Sequence, residues 1–226
     1  MLPISWSMTR PAKPAPIIIA TAICLTTAGA FSQKVQPGKD VKVQSGEDVH
    51  ATLLQGKHRS VLAYAGPTHS FTLDVPYKTT KLSDVPGFIT IDKQIVQATL
   101  IPADKSSDRK LSGPSPEKET LLKYMNYELS YYKKKLKQNY THLETEWITL
   151  QGRTFLVWYF NMPENYKLVS RQVYVSTLFD DQVVDLNAPV FKADDWGKAR
   201  TILVHLAGTM KTFDKHLDLQ GLQKKL

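Results

Sequence analysis

Apolar positions in the C-terminal half of the chain first follow a helical period, then a strand period, and then a helical period again. Residues 117–139 and the segment after Asp194-Asp195 each carry an apolar stripe at spacings of three and four, which predicts two amphipathic helices. Asp194 or Asp195 is the predicted N-cap of the second helix. The stripes are Leu122, Met125, Leu129, Tyr132 and Leu136 on the first helix, and Trp196, Ala199, Leu203, Leu206, Met210 and Phe213 on the second.

Four β-rich runs lie between the two helices, and the short turns between consecutive runs predict antiparallel pairing. Residues 154–160 are apolar on both faces, which is typical of a central strand that is covered on both sides. The predicted strands are 142–150, 154–160, 172–179 and 182–190.

The N-terminal part is also rich in strands. Residues 50–54 and 60–64 flank Gln55-Gly56-Lys57 and predict a hairpin. Further strands are predicted at 71–75, 88–91 and 95–101. The predicted fold class is therefore α+β: an antiparallel sheet with an amphipathic helix before and after a C-terminal four-strand meander, an α/β/α-type sandwich with an extra N-terminal hairpin.

The first thirty residues resemble an export signal. Arg10 and Lys13 precede an apolar run at 17–25, and Ala28-Gly29-Ala30 follows as a small-residue cleavage pattern. The apolar window is short for a bilayer, which takes roughly 20 residues per spanning helix. An uncut anchor and lipidation at Cys24 are the alternatives, and lipidation is disfavoured because Ile23 replaces the usual small residue. We expect an exported protein, periplasmic or extracellular, with no transmembrane span after signal removal.

The predicted organisation has four parts. Residues 1–30 form the signal peptide, 31–46 a flexible lead-in with Pro37 and Gly38, 47–213 a single α+β sandwich domain, and 214–226 a polar C-terminal tail. A polar, turn-rich segment at 103–117 predicts a loop within the domain.

Charge and composition narrow the chemistry. The chain has 29 Lys and Arg against 21 Asp and Glu, a net of +8, and removal of Arg10 and Lys13 with the signal leaves +6. This charge favours anionic partners or surfaces. We expect no nucleic-acid partner, because the chain carries an export signal and no finger or RNA-binding signature. Cys24 is the single cysteine, so the mature chain would hold no disulfide and no thiolate.

No catalytic motif stands out. The sequence has no Gly-x-Ser-x-Gly elbow and no phosphate-binding Gly-rich loop. The acidic pairs Asp180-Asp181 and Asp194-Asp195 are explained by a turn and a helix start. The histidines offer no third metal ligand that the sequence can place. We therefore expect no catalytic residue, no metal site and no cofactor.

A second stripe on the first helix is the candidate binding surface. Tyr124, Tyr127 and Tyr131 recur at spacings of three and four, about 140° around the helix from the leucine stripe, and are followed by Lys134 and Lys135. Tyrosines beside lysines suit a recognition surface for a protein, a glycan or an anionic lipid. The alternative is that the N-terminal hairpin or the 103–116 loop buries these rings.

The order of elements resembles a known family. An early strand Phe71-Thr72-Leu73-Asp74-Val75-Pro76, a helix, a meander whose second strand opens with Arg153-Thr154-Phe155, and a closing amphipathic helix are similar to the PsbP-like and DcrB-like α/β sandwiches over about residues 69–213. The resemblance implies envelope lipoproteins, accessory subunits or adaptors that bind other proteins, without shared catalytic residues. We therefore expect an exported, non-catalytic envelope protein acting as a protein-binding or accessory module. The alternatives are a small-molecule, lipid or glycan carrier, or an enzyme without a recognisable motif.

Overall fold

The computed structural model describes residues 49–76, 78–83, 88–103, 115–136 and 139–226, apart from the side chains of 49–50 and 135–136. The predicted signal peptide and lead-in lie outside the described residues. In the part of the chain that is described, no helix combines the length and the apolar character needed to cross a membrane.

A large antiparallel sheet of eight strands forms the centre of the structure. Its strand order is β5-β6-β7-β11-β10-β9-β8, with β1 paired to β7. The predicted four-strand meander is confirmed as β8 to β11, and the α+β fold class is confirmed with it. The strands are β1 (Val49–His50), β5 (Thr80–Leu82), β6 (Phe88–Ile91), β7 (Gln94–Pro102), β8 (Thr141–Leu150), β9 (Arg153–Asn161), β10 (Val169–Phe179) and β11 (Gln182–Phe191).

Two-residue turns set the register of this sheet. Gln151 and Gly152, with φ of 50° and 77°, join β8 to β9, and Asp92 and Lys93, with φ of 48° and 71°, join β6 to β7. Positive φ at both central residues gives a turn whose twist matches that of the flanking strands. Each hairpin is therefore closed without an extra loop.

A second, four-stranded sheet has the order β12-β4-β3-β2. Its strands are β2 (Thr52–Gln55), β3 (Ser60–Ala65), β4 (Ser70–Val75) and β12 (Lys211–Phe213). The predicted N-terminal hairpin is present as β2 and β3, with Gln55 opposite Ser60. His50 does not belong to it, because β1 pairs with β7 of the large sheet, where His50 lies opposite Thr99.

Helix α2 (Trp196–Gly208) packs on β10 and β11 of the large sheet beside β4 of the small one, and its buried side belongs to the main core. Asp195 is the N-cap, and its side chain accepts a hydrogen bond from the Gly197 amide at 2.9 Å. The prediction that this helix runs to Phe213 is wrong. The chain turns at Thr209, whose hydroxyl accepts from the Asp74 amide, and then enters β12. Met210 is nevertheless buried, as the apolar stripe indicated.

The C-terminal segment is not a free polar tail. Helix α3 (Leu219–Lys225) sits against the small sheet. Every third or fourth residue of the segment is apolar, and these residues pack on the outer side of β2 and β3. The contacts join Leu219, Leu222 and Leu226 to Leu54, Val61 and Ala63. Residues Asp48–Leu226 thus form one compact unit that extends past the predicted boundary at 213.

Helix α1 (Pro116–Leu136) packs on the opposite face of the large sheet, against β9 and β10. The layers are therefore α1, the large sheet, and then α2 together with the small sheet. Alternate residues of β9, β10 and β11 face one helix or the other. The face toward α2 is apolar, whereas the face toward α1 combines aromatic rings with buried polar groups.

Candidate binding site

The tyrosine stripe of helix α1 was expected on the surface, but the structure buries one of its three rings. Tyr124 is 7% exposed and belongs to the core, so the prediction that it faces outward is wrong. Leu121 is fully buried, and Leu122, predicted to lie in the core stripe, is 38% exposed. Met125, Leu129 and Tyr132 are buried as predicted. Leu136 lies outside the residues whose side chains are described.

Glu128 explains this rotation of the helix. It is 2% exposed and lies one turn from both Tyr124 and Tyr132, so the buried arc is centred roughly 50° nearer to the tyrosines than the leucine pattern indicated. A glutamate is counted as polar in any periodicity analysis and is rarely fully buried. The sequence pattern therefore assigned this side of the helix to the surface.

The rest of the predicted stripe remains accessible. Tyr127 is 50% exposed, Tyr131 is half-buried and Lys134 is exposed. The side chain of Lys135 lies outside the described part. The outer surface of α1 thus retains two of the three tyrosines.

A polar network lies beneath α1. Trp158 Nε1 donates to Ser176 Oγ at 3.1 Å, and the Ser176 hydroxyl donates to Asp185 at 2.6 Å. Asn187 Nδ2 donates to the other Asp185 oxygen at 3.1 Å and to Gln97 Oε1 at 3.2 Å. All five side chains are buried. The network therefore joins four neighbouring strands beneath the helix.

Burial dominates the electrostatics of this network. It raises the pKa of Asp185 to about 6, although the hydrogen bonds from Ser176 and Asn187 lower it. Desolvation also raises the pKa of Tyr124, whose hydroxyl faces Asp185, well above its usual value. Because the network is sealed from solvent, it is not a surface at which a ligand binds.

Aromatic rings complete the contact between α1 and the sheet. Trp158 stacks on Tyr174 with ring centroids 3.8 Å apart and planes 7° apart. Tyr132 meets Phe160 edge-on at 5.2 Å, and its hydroxyl lies 2.8 Å from that of Tyr174. Such contacts hold the helix in one orientation.

An open groove lies where β9 ends and β10 begins, on the face of the large sheet that carries α2. It has a volume of about 820 Å³ and is bordered by the first residues of β8, the loop 162–168 and the start of α2. Met162, Val169 and Val190 contribute apolar surface, while His142 and Asn161 contribute polar groups. A groove of this size accommodates a peptide segment or a small ligand.

Arg171 is the most ordered charged group of this groove. Its guanidinium lies over the rings of Tyr159 and Trp196, at 5.2 Å and 4.8 Å from the ring centroids. Its Nε donates to Asn161 Oδ1 at 2.8 Å. The two rings and the amide fix the guanidinium, and its remaining N–H groups are left to meet a ligand.

Polar and charged groups surround Arg171 and its two aromatic rings. The Tyr159 hydroxyl donates to the Glu144 carboxylate, and this hydrogen bond, followed by burial, raises the Tyr159 pKa. Lys192 also lines the groove, and its Nζ donates to the Glu164 carbonyl at 3.3 Å. Neither Arg171 nor Lys192 forms an ion pair with another described residue. Asp194 and the exposed Glu164 add two carboxylates at the rim, so the groove presents both signs of charge.

Periodicity analysis did not find this site. It assigned Trp196 to the core stripe of α2, whereas the structure places it at the first helical position with 38% of its surface exposed. Arg171 was passed over because it lies just before the predicted strand 172–179 and belongs to no charged cluster in the sequence.

No metal-binding cluster of three His, Cys, Asp or Glu side chains occurs among the residues that the structure describes. The histidine of the groove, His142, has a φ of 53° where the pairing of β8 with β9 is irregular. The groove brings together a fixed cation, two aromatic faces and amide and hydroxyl groups.

No protein-family model matches the chain, and no curated protein matches it. Among solved structures, it is similar to the solution structure of cyanobacterial PsbP (CyanoP) from Synechocystis sp. PCC 6803, with 10% sequence identity and a TM-score of 0.45. The match covers 70% of this chain and 95% of that chain. This neighbour is a PsbP structure, the kind that the sequence resemblance named, and the DcrB-like part of that resemblance stays a prediction.

Proposed function

We propose that this chain is an exported, non-catalytic binding module that holds a protein partner of the cell envelope at the groove beside Arg171. The observation that carries this proposal is the Arg171 guanidinium fixed between Tyr159 and the partly exposed Trp196. Trp, Tyr and Arg dominate the energetic centres of protein interfaces.

Preorganisation supports this reading. A free arginine loses side-chain entropy when it binds, whereas Arg171 is already held by Asn161 and by two ring faces. The exposed part of Trp196 adds apolar area next to a fixed cation. A partner that covers Arg171 and Trp196 would gain contact area without the entropy loss of ordering these side chains.

The outer surface of α1 is a second part of the proposal. Tyr127, Tyr131, Lys134 and Lys135 remain a proposed partner-binding surface, favoured by the half-exposed ring of Tyr127. Tyr124 is excluded from it because its ring is in the core.

Affinity capture with matched variants tests the proposal. The tagged mature chain, its Trp196→Ala variant and its Tyr127→Ala/Tyr131→Ala variant are each incubated with cross-linked envelope extract. Leu82→Ala serves as the control, since Leu82 is 59% exposed on a distant strand and also loses an apolar surface side chain. We expect a partner that is lost with Trp196→Ala and kept with Leu82→Ala, at an unchanged melting temperature.

The opposite outcome is equally informative. Loss only in the Tyr127→Ala/Tyr131→Ala variant would move the binding site to α1. Retention of every captured protein by all three variants would refute both surfaces.

A ligand carrier is the alternative function, and the groove volume of about 820 Å³ favours it, since small-ligand sites are of this size. A thermal-shift screen of small carboxylates, sugars and lipids separates the two. A rise in melting temperature that Trp196→Ala abolishes would support a carrier.

Export is tested by N-terminal sequencing of the protein from the periplasm or the medium. A new N-terminus close to residue 31 would support a cleaved signal, and an intact Met1 would contradict it.

A further inference from the structure

The long exposed edge of the large sheet points to a second way of binding a partner. In the described part of the chain, the sheets end in β5, β2 and β12, with three, four and three residues, and in β8, with ten. Short edge strands are the usual protection against unwanted pairing, because an edge strand exposes unpaired N–H and C=O groups. β8 lacks this protection.

Only the first residues of β8 are irregular. The pairing with β9 shifts between Thr141 and Glu144, and from Glu144 to Leu150 it is continuous. Seven regular residues span about 24 Å, enough for a complete added strand. Side chains along most of β8 are exposed.

The two faces of this edge differ in chemistry. Glu144 and Glu146 face the side of α2, where they interact with Tyr159 and Arg200. The opposite face carries Thr145, Trp147 and Thr149, and Lys118 of α1 lies over the Trp147 ring at 5.0 Å. The donor to Glu144 is a neutral phenol, whereas Glu146 forms an ion pair with Arg200.

The acids disfavour three of the registers in which two copies could pair. In a symmetric antiparallel pair, residues of one face meet residues of the same face. Registers centred on residues 144, 145 or 146 place Glu144 or Glu146 opposite an acid of the other copy, and like charges directly opposite each other destabilise a sheet. The register centred on Trp147 sets Glu144 opposite Leu150, so a second copy is the competing occupant that the experiment below tests.

We infer that β8 binds an extended segment of a partner protein by strand addition, with basic residues of that segment beside Glu144 and Glu146 and apolar residues beside Thr145 and Trp147. Main-chain hydrogen bonds supply the attachment and the alternating side chains supply the selectivity. The inference specifies a partner for the proposed binding module but depends on the strand edge alone, not on the groove.

A labelled peptide of alternating Val and Lys tests the inference by fluorescence anisotropy with the full mature chain. We expect saturable binding, and an alternating Val and Glu peptide should bind at least about tenfold more weakly. Amide NMR shifts should concentrate at residues 144–150. Shifts concentrated around Arg171 and Trp196 would instead assign the peptide to the groove and overturn the inference.

Charge reversal supplies the matched variants. Glu144→Lys should weaken binding of the Val and Lys peptide about fivefold to tenfold, whereas Asp214→Lys, which makes the same charge change at an exposed site before α3, should leave it within about twofold. Equal losses in both variants would show attraction by net charge and would refute strand addition.

Backbone pairing is tested on the unaltered protein, so misfolding of a variant cannot decide the result. Two versions of the peptide carry N-methyl groups on alternate amides, one in each phase. At least one of them should lose binding about tenfold, and full binding by both would refute the inference. Analytical ultracentrifugation of the chain alone completes the test: a dimer whose amide NMR shifts concentrate at residues 144–150 would assign the edge to a second copy instead. The Trp196→Ala capture result is independent of all these outcomes.

Discussion

Replacement of Asp185 by Asn should change the way in which the stability of the fold depends on pH. Asp185 is fully buried beneath α1, and its carboxylate is held by Ser176 and Asn187 without a cationic partner among the described residues. Desolvation raises its pKa from 3.8 to about 6. The folded state therefore holds a proton that the unfolded chain releases at lower pH.

The sign and size of the effect follow from this shift. Between pH 4 and pH 6 the folded state binds more protons than the unfolded state, so the free energy of unfolding falls as the pH rises. The stabilisation by protonated Asp185 is fully present below about pH 4 and is lost as the pH passes 6. A shift of about two pKa units, at about 1.4 kcal/mol each, amounts to about 3 kcal/mol.

Asp185→Asn removes this titration and keeps the shape of the side chain. The new amide can still accept from Ser176, and its NH₂ can donate to Asn187 Oδ1, which lacks a hydrogen-bond partner, if the Asn187 and Gln97 amides rotate. We expect the variant to gain stability relative to wild type as the pH rises. The free energy of unfolding of the variant minus that of wild type should increase by about 3 kcal/mol between pH 4 and pH 7.5.

Urea unfolding followed by tryptophan fluorescence at a series of pH values measures this difference. Asp214→Asn is the matched control, because it removes an exposed carboxylate from the segment before α3. A difference between Asp185→Asn and wild type that stays constant within 0.5 kcal/mol across the series, an interval of about a third of a pKa unit, would refute the reasoning.

Five further substitutions, at three places in the fold, test its packing by urea unfolding. Leu121→Ala should cost about 2–5 kcal/mol because Leu121 is fully buried, whereas Leu122→Ala should cost less than about 1 kcal/mol; equal costs would contradict the observed orientation of α1. Asp195→Ala should cost about 1 kcal/mol through loss of the α2 cap, and Asp195→Asn should recover most of it. Gly152→Ala should cost about 1 kcal/mol through its φ of 77° alone, since no atom lies within 4 Å of the added Cβ; a negligible cost would show that the β8–β9 turn relaxes.

Periodicity was sufficient for most of the helices and strands. The four strands of the meander, the β2–β3 hairpin and the Asp195 cap follow from alternation, turn residues and capping chemistry, all of which act over a few residues. Elements whose stability depends on distant partners were missed. β12 is three residues long and exists because β4 offers it an edge, and α3 is helical because its leucines find the surface of the small sheet.

The features of the candidate sites also divide into those set by neighbouring residues and those set by tertiary packing. The sequence by itself determined that α1 is amphipathic, that it carries a row of tyrosines and that a meander follows it, because each of these is a property of neighbouring residues. Only the tertiary structure decided that Tyr124 and Glu128 turn inward, since the sheet beneath α1 supplies Asp185, Tyr174 and Trp158 as polar and aromatic neighbours that no local pattern contains. It also decided that Arg171, Trp196 and Tyr159, separated by up to 37 positions along the chain, meet at one groove. Which side chains are buried, and which distant side chains meet, depends on how the helices and sheets pack against each other. That packing involves residues from the whole core.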